Sequence, residues 1–374
     1  MALLRIVVVT ALFVTASGSH APAEEGAPAA PPRIAFSPVV ERAIDAVILP
    51  GYGLFAERAA AEATRVGDLC WQADGDRLEA ARAGFRDLVI AWSAVEQFRF
   101  GPARDRNRYE RLFFWPDPRG RGLQQIQEII ASADPTATDV PTLREKSVAV
   151  QGLLALEFVL FGSGSEALSD TGDPARSFRC RFGAAIAGAI AATAGEILTD
   201  WTKPDGYAAL MRAAGPDNPI YRSHGEAVQE LIKAAREQLQ LSRDLKIAHA
   251  IEDVPAKAQP KRAPFWRSDL TLPSIRANVD AVGKLAGPEG IGAALPKDEP
   301  WIVNELAFEL REVENTLARV EARGGPWEHL LSDPESHADL SYSLIPLASA
   351  IALLESGYPD ALGLITGFNS LDGD

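Results

Sequence analysis

The chain is 374 residues long, 47% hydrophobic and 24% charged, with a formal net charge of −14 at pH 7. These are the proportions of an ordinary folded protein, and the length leaves room for two domains. The acidic balance excludes a surface built to track a phosphate backbone, which needs a basic face, and it argues against adsorption on an anionic membrane.

Residues 1–20 read as a secretory signal. Arg5 supplies the positive start, Ile6 to Ala16 is an apolar run too short for a bilayer, and small residues follow. Residues 21–35, rich in Pro, Ala and Glu, read as a disordered tail. Export to the periplasm is the expectation, and no later run reads as long and uncharged enough to span a membrane. Two cysteines, Cys70 and Cys180, suit an exported chain as one structural disulfide or as two inert buried thiols, and no CxxC points to redox chemistry.

Helical spacing governs the rest. Ser37 as N-cap with Pro38 at the first helical position opens a helix whose face is Val39, Val40, Ile44, Val47 and Ile48, with a kink expected at Pro50-Gly51. Asp76 is expected to cap a second helix reaching Phe100, with Phe85, Leu88, Val89, Trp92, Val95 and Phe98 inward. The loop after it carries Arg104, Arg106, Arg108, Arg111, Arg119 and Arg121. Pairing with neighbouring acids is the default for such a run; an anion site, or countercharge for a buried acid, is the alternative. Leu123 to Ser132 is a short helix. Val148 to Gly162, VAVQGLLALEFVLFG, is apolar on every side, the pattern of a buried helix, yet it carries Glu157. A carboxylate there has to be paired, protonated or metal-bound. Phe178 to Trp201 is an Ala/Gly-rich helix, and Pro204 to Pro219 marks a boundary between halves at 36–203 and 204–374. His224 to Ala250, Leu272 to Leu285, Trp301 to Arg323 and Asp339 to Ser356 complete the helical patterns. No strand alternation occurs, so the expected fold is all-α, two helical-bundle-like halves.

Signals for chemistry are sparse. There is no HExxH, GxSxG, GxGxxG or GxxxxGK[ST]. His249 and Glu252 have HxxE spacing and would share a helix face, by default as a surface pair. His329 and His337 flank an expected loop as surface residues. Trp92, Glu96 and Arg99 lie on one face of the second helix. The default there is a core tryptophan beside a Glu–Arg pair; the alternative is that this face meets Glu157 and lines a polar pocket.

The stretches GLLALEFVLFG, AWSAVEQFRFGP (Ala91 to Pro102), APFWRSDLTLP (Ala263 to Pro273) and the closing GFNSLDGD resemble the imelysin-like family, which includes insulin-cleaving and iron-regulated periplasmic proteins. That resemblance implies an all-helical fold of two halves, export and a link to iron acquisition. The family signature GxHxxE carries over to Gly152 and Glu157, but Leu154 stands where the histidine is expected. Leucine has no lone pair, so Glu157 is left as a weak ligand for a transition-metal ion, iron or zinc. Arg267, inside APFWRSDLTLP, joins Trp92, Glu96 and Arg99 as a pocket candidate. The expectation is a non-catalytic binding or accessory component of metal uptake, with no catalytic residue assigned. Its partner would be a metal ion, a metal chelate or another iron-uptake protein, and its cavity would border Glu157. The alternatives are an atypical metallopeptidase using His249 and Glu252, and a structural partner-binding protein whose pocket has closed.

Overall fold

A chain without strand patterning buries its apolar stripes helix on helix. In the computed structural model, which describes residues 35–170, 174–298 and 300–364, every regular element is helical. The expected signal and tail up to residue 34, and the closing GFNSLDGD, lie outside the described residues. Helices of nine residues or more are numbered in chain order: α1 Leu49–Trp71, α2 Gly75–Val95, α3 Arg121–Ser132, α4 Leu153–Phe161, α5 Pro174–Thr202, α6 His224–Gln240, α7 Thr271–Ala286, α8 Pro300–Ala322 and α9 Pro334–Ala352.

α1 packs along both α2 and α5, and α8 along α9. Between these groups, α7 lies against α2 on one side and against α6 and α8 on the other. The described residues from 35 onward group as one unit, and Pro204 to Pro219, the expected boundary, encloses a short helix, Tyr207–Arg212.

Hydrogen bonding defines three local features of the first helices, and two of them correct the expected caps. Phe36, not Ser37, is the N-cap of the first helix, and it offers no side-chain bond. The helix continues through Pro50, which follows a π-helical stretch, Ala43–Ile48, that runs straight into α1; such a stretch is one way a helix accommodates a residue without an N–H. Asp74, two residues before Asp76, caps α2 by accepting from the Arg77 N–H at 2.7 Å.

α4 is the buried helix the pattern called for, with Leu153, Ala155, Leu156, Phe158, Val159 and Leu160 in the core. It is shorter than the apolar run, because a 3-10 turn, Val148–Val150, precedes it and Gly152 intervenes as N-cap. A Cβ on Gly152 would stand 2.4 Å from the Leu112 carbonyl oxygen, so only glycine lets the two backbones approach. At the other end, Arg179 of α5 donates to the carbonyls of Phe158 (2.7 Å), Val159 (3.0 Å) and Ser163 (2.8 Å), filling the acceptors that a helix C-terminus leaves open.

Contrary to the expectation that nothing beyond the leader is apolar enough, two helical stretches, Phe178–Arg212 and Pro334–Ala361, have the length and hydropathy to cross a membrane. Alanine and isoleucine raise the first, and 56% of its most apolar window is buried inside the protein, as suits a core helix. The second is 39% buried in that window and leaves Tyr342 and Ile345 exposed.

Cys70 of α1 and Cys180 of α5 form a disulfide across 110 residues of sequence. Replacing both with serine should lower stability by about 2–4 kcal/mol by freeing the unfolded chain. Urea unfolding checks this: the variant should match the reduced wild type, and a variant as stable as the oxidised protein would refute it.

Candidate functional site

Glu157 is fully buried in the middle of α4. Its partners come from the loop before α7, 110 residues away. That loop is bent by two residues in the left-handed region, Phe265 at φ 60° and Asp269 at φ 56°, a conformation that non-glycine residues adopt only when the surroundings enforce it. Here the Leu270 N–H donates to the Phe265 carbonyl (3.0 Å), Thr271 Oγ1 to the Pro264 carbonyl (2.7 Å), and Asp269 Oδ1 accepts from the Trp327 N–H (2.8 Å). The bend aims consecutive N–H groups inward, a concavity suited to an anion. The anion is Glu157: its Oε1 accepts from Arg267 N–H and Ser268 N–H, both 3.1 Å, and from Ser268 Oγ at 2.8 Å.

The second oxygen is different. Oε2 has no hydrogen-bond partner among the described residues, and the Arg267 guanidinium stands 3.9 Å away. Burial pushes the Glu157 pKa up, opposed first by the Arg267 charge and then by the Ser268 and Arg267 hydrogen bonds. Burial likewise lowers that of Arg267, opposed by Glu157.

Glu157 forms part of the wall of a cavity of about 470 Å³. Leu154 and Phe158 line it from α4, Phe114 and Trp115 from the loop before α3, and Phe265, Trp266 and Arg267 from the loop before α7. The Arg267 guanidinium lies 4.3 Å from the Trp266 ring centre and 5.6 Å from that of Phe158, and the Lys261 ammonium 5.3 Å from Trp266. The cavity is thus aromatic, with the cations Arg267 and Lys261, the acid Asp117 held by the Arg121 and Gly122 N–H groups, and Glu157 with one buried oxygen unclaimed.

The donor set does not fit a transition-metal ion. Oε1 already takes three hydrogen bonds, Oε2 faces a guanidinium, and Leu154 offers no lone pair. Among the described residues no group of three or more His, Cys, Asp or Glu is placed to hold an ion.

The other sequence candidates go elsewhere. Arg267 lines the cavity, but Trp92, Glu96 and Arg99 are not part of its wall. They belong to a second buried cluster where α2 meets α7. There Lys246, in the π-helical stretch Leu241–Ala248, donates to Glu96 Oε2 (2.7 Å) and Asn278 Oδ1 (2.8 Å). Asn278 Nδ2 donates to the Ser93 carbonyl (2.7 Å) and to Glu96 Oε2 (3.0 Å), and Arg99 stands 3.7 Å from Glu96 Oε1. Trp92 packs on Phe55, Tyr109 and Phe113. Phe113 joins the two clusters: its ring stacks on Phe265 at 5.4 Å and lies 5.7 Å from the Lys246 ammonium.

The expected His249–Glu252 pair does not form. The helix ends at Ile251, Glu252 turns away at φ 53° and pairs with Arg262, while His249 borders the cavity. His337 is not a loop residue either: it is buried in α9, with Nε2 3.0 Å from the Ile251 carbonyl. The arginine run does not supply the countercharge of Glu157. Arg108 is buried against Asp200 (2.8 Å) and Glu196 (3.3 Å), and Arg111 reaches the Arg144 carbonyl (2.7 Å) and Gln151 (2.9 Å). Sequence reasoning missed Ser268, although it directly follows Arg267 in APFWRSDLTLP, and it missed Lys246, whose charge looks like any other on an amphipathic helix.

The family model described as imelysin matches residues 48–352. Among solved structures, an imelysin-like protein from Psychrobacter arcticum 273-4 is similar at 20% identity and TM-score 0.70, over 89% of this chain and 97% of that one. A candidate iron-regulated protein A precursor from Parabacteroides distasonis ATCC 8503 is similar at 16% identity and TM-score 0.72, again over 89% and 97%. At these identities the likeness is one of fold. No curated protein matches the sequence.

Proposed function

The chain belongs to the imelysin family, and from that premise we propose an exported, non-catalytic binding component of iron or other metal acquisition that takes a chelated metal, not a bare ion, into the cavity beside Glu157. The observation that carries this is the lining itself: aromatic walls, the cations Arg267 and Lys261, and a carboxylate already claimed on one oxygen by the protein. Such a surface suits an organic anion better than a hydrated cation. The link to iron rests on the family resemblance and on the description of the Parabacteroides protein as iron-regulated. Export to the periplasm is supported by the signal pattern of residues 1–20, by the disulfide, which suits an oxidising compartment, and by that neighbour's description as a precursor. The peptidase alternative loses its ligand pair, because Glu252 is held by Arg262.

Thermal melts test the reading with ferric citrate, ferric 2,3-dihydroxybenzoate and zinc chloride. A ferric chelate at a hundredfold excess over its Kd should stabilise the protein by about 2.7 kcal/mol, whereas zinc chloride should leave the melt unchanged. Leu154→Trp, which fills the cavity, should abolish the shift. No shift with either chelate, or a shift that survives Leu154→Trp, would refute the assignment.

A further inference from the structure

We propose that what the cavity recognises is an aromatic hydroxy acid: a flat ring bearing a carboxylate beside a hydroxyl, bound by Arg267 and Glu157 through groups that no metal holds. This rests on the preceding reading that the cavity is the ligand site, and it names the part of the ligand that is read.

Glu157 supplies the first requirement. Glu157 is one of the residues that line the cavity, and its Oε2, shielded from solvent, has no hydrogen-bond partner among the described residues. An acceptor left so is costly, and a ligand that brings an O–H to it removes the cost. Oε1 cannot serve this purpose, being occupied by Arg267 N–H, Ser268 N–H and Ser268 Oγ.

Arg267 supplies the second. Its guanidinium is 3.9 Å from Oε2, beyond a hydrogen bond, and its side chain keeps 19% of its exposure. It is therefore oriented but unsaturated, and a carboxylate is the group its fork fits. The Trp266 and Phe158 rings flank the guanidinium, with centroids 4.3 and 5.6 Å away, and restrict where it can move. A donor for Oε2 and an anion for Arg267 must sit a few ångströms apart on the ligand, as a hydroxyl next to a carboxylate does.

The remaining wall supplies the third. Phe114, Trp115, Leu154 and Phe158 present rings and a branched alkyl group, and the one other acid of the wall among the described residues, Asp117, is already held by the Arg121 and Gly122 N–H groups at 3.0 and 2.7 Å. Leu154 in particular makes the surface next to Glu157 apolar, which favours a flat hydrocarbon body there. About 470 Å³ lies within the size range of small-ligand pockets.

The test is calorimetric titration of the full mature chain, metal-free, with 2,3-dihydroxybenzoate, benzoate, which lacks the hydroxyls, and catechol, which lacks the carboxylate. The dihydroxy acid should bind at least tenfold more tightly than either, because a site with an unpaired buried acceptor discriminates against a ligand that leaves it unpaired. Arg267→Met should weaken the dihydroxy acid at least tenfold. Glu157→Gln puts a donor where an acceptor stood, so the preference for the dihydroxy acid over benzoate should collapse towards unity even if overall affinity changes. Persistence of that preference in Glu157→Gln, or full affinity in Arg267→Met, would overturn the proposal. If ferric chelates bind in a manner blocked by Leu154→Trp while the metal-free acid does not, this inference fails and the binding-site reading stands. If neither binds, both fall.

Discussion

Replacing Lys246 with methionine should cost about 3–5 kcal/mol of folding stability, the usual consequence of removing one partner of a buried ion pair. Lys246 and Glu96 are both wholly buried and meet at 2.7 Å. Burial alone pushes the Lys246 pKa down, and Glu96 is the principal group opposing that fall. Taking the ammonium away leaves Glu96 with Asn278 at 3.0 Å and Arg99 at 3.7 Å, neither of which replaces a full contact charge. Pairing the change with Glu96→Leu should recover a large part of the loss, since a buried pair is replaced by apolar groups with far less penalty than half of it. Urea unfolding of both single variants and the double variant measures the coupling. A loss under 1 kcal/mol in Lys246→Met, or a double variant worse than the sum of the singles, would show that the pair is not what holds α2 to the segment after α6.

That pair also marks the limit of what spacing along a helix reveals. The apolar faces of α1, α2 and α6 follow from 3.6-residue periodicity, because such a face exists only to be buried. The all-round apolar α4 was readable for the same reason, and so was the demand that Glu157 find a partner. Which partner it found was not readable, because Arg267 lies 110 residues on and its role depends on a loop bent at Phe265, a residue with no bias toward left-handed backbone, and at Asp269, whose modest bias does not by itself mark a bend. The shared face of Trp92, Glu96 and Arg99 is real, yet its polar part looks toward Lys246 and Asn278 instead of the cavity. His249 and Glu252 failed as a pair because the spacing argument assumes an unbroken helix, and the chain leaves the helix at Glu252.

The other large effect comes from an acid that sequence patterning passed over. Glu62 sits on α1 facing α2 at Gly84, where a Cβ would stand 2.1 Å from Oε2; the glycine makes the space the carboxyl occupies. Both Glu62 oxygens are buried without a hydrogen-bond partner among the described residues, and Arg65 approaches only to 4.0 Å. Burial pushes the pKa from 4.5 up to about 9, with Arg65 opposing and Asp87 adding to the rise. The folded protein therefore keeps a proton that the unfolded chain has released. The stability this gives is complete below about pH 4.5 and is lost as pH climbs towards about 9, with a slope approaching about 1.4 kcal/mol per pH unit and an upper limit of roughly 6 kcal/mol across the window. Glu62→Met removes the titrating group while keeping its bulk. Compared with the wild type, the variant should gain little at pH 5 and several kcal/mol at pH 9, measured as unfolding free energies in urea at pH 5, 7 and 9. Parallel stability profiles for the two proteins would mean that Glu62 ionises in the fold as readily as in the unfolded chain, and that Arg65 closes on it in solution.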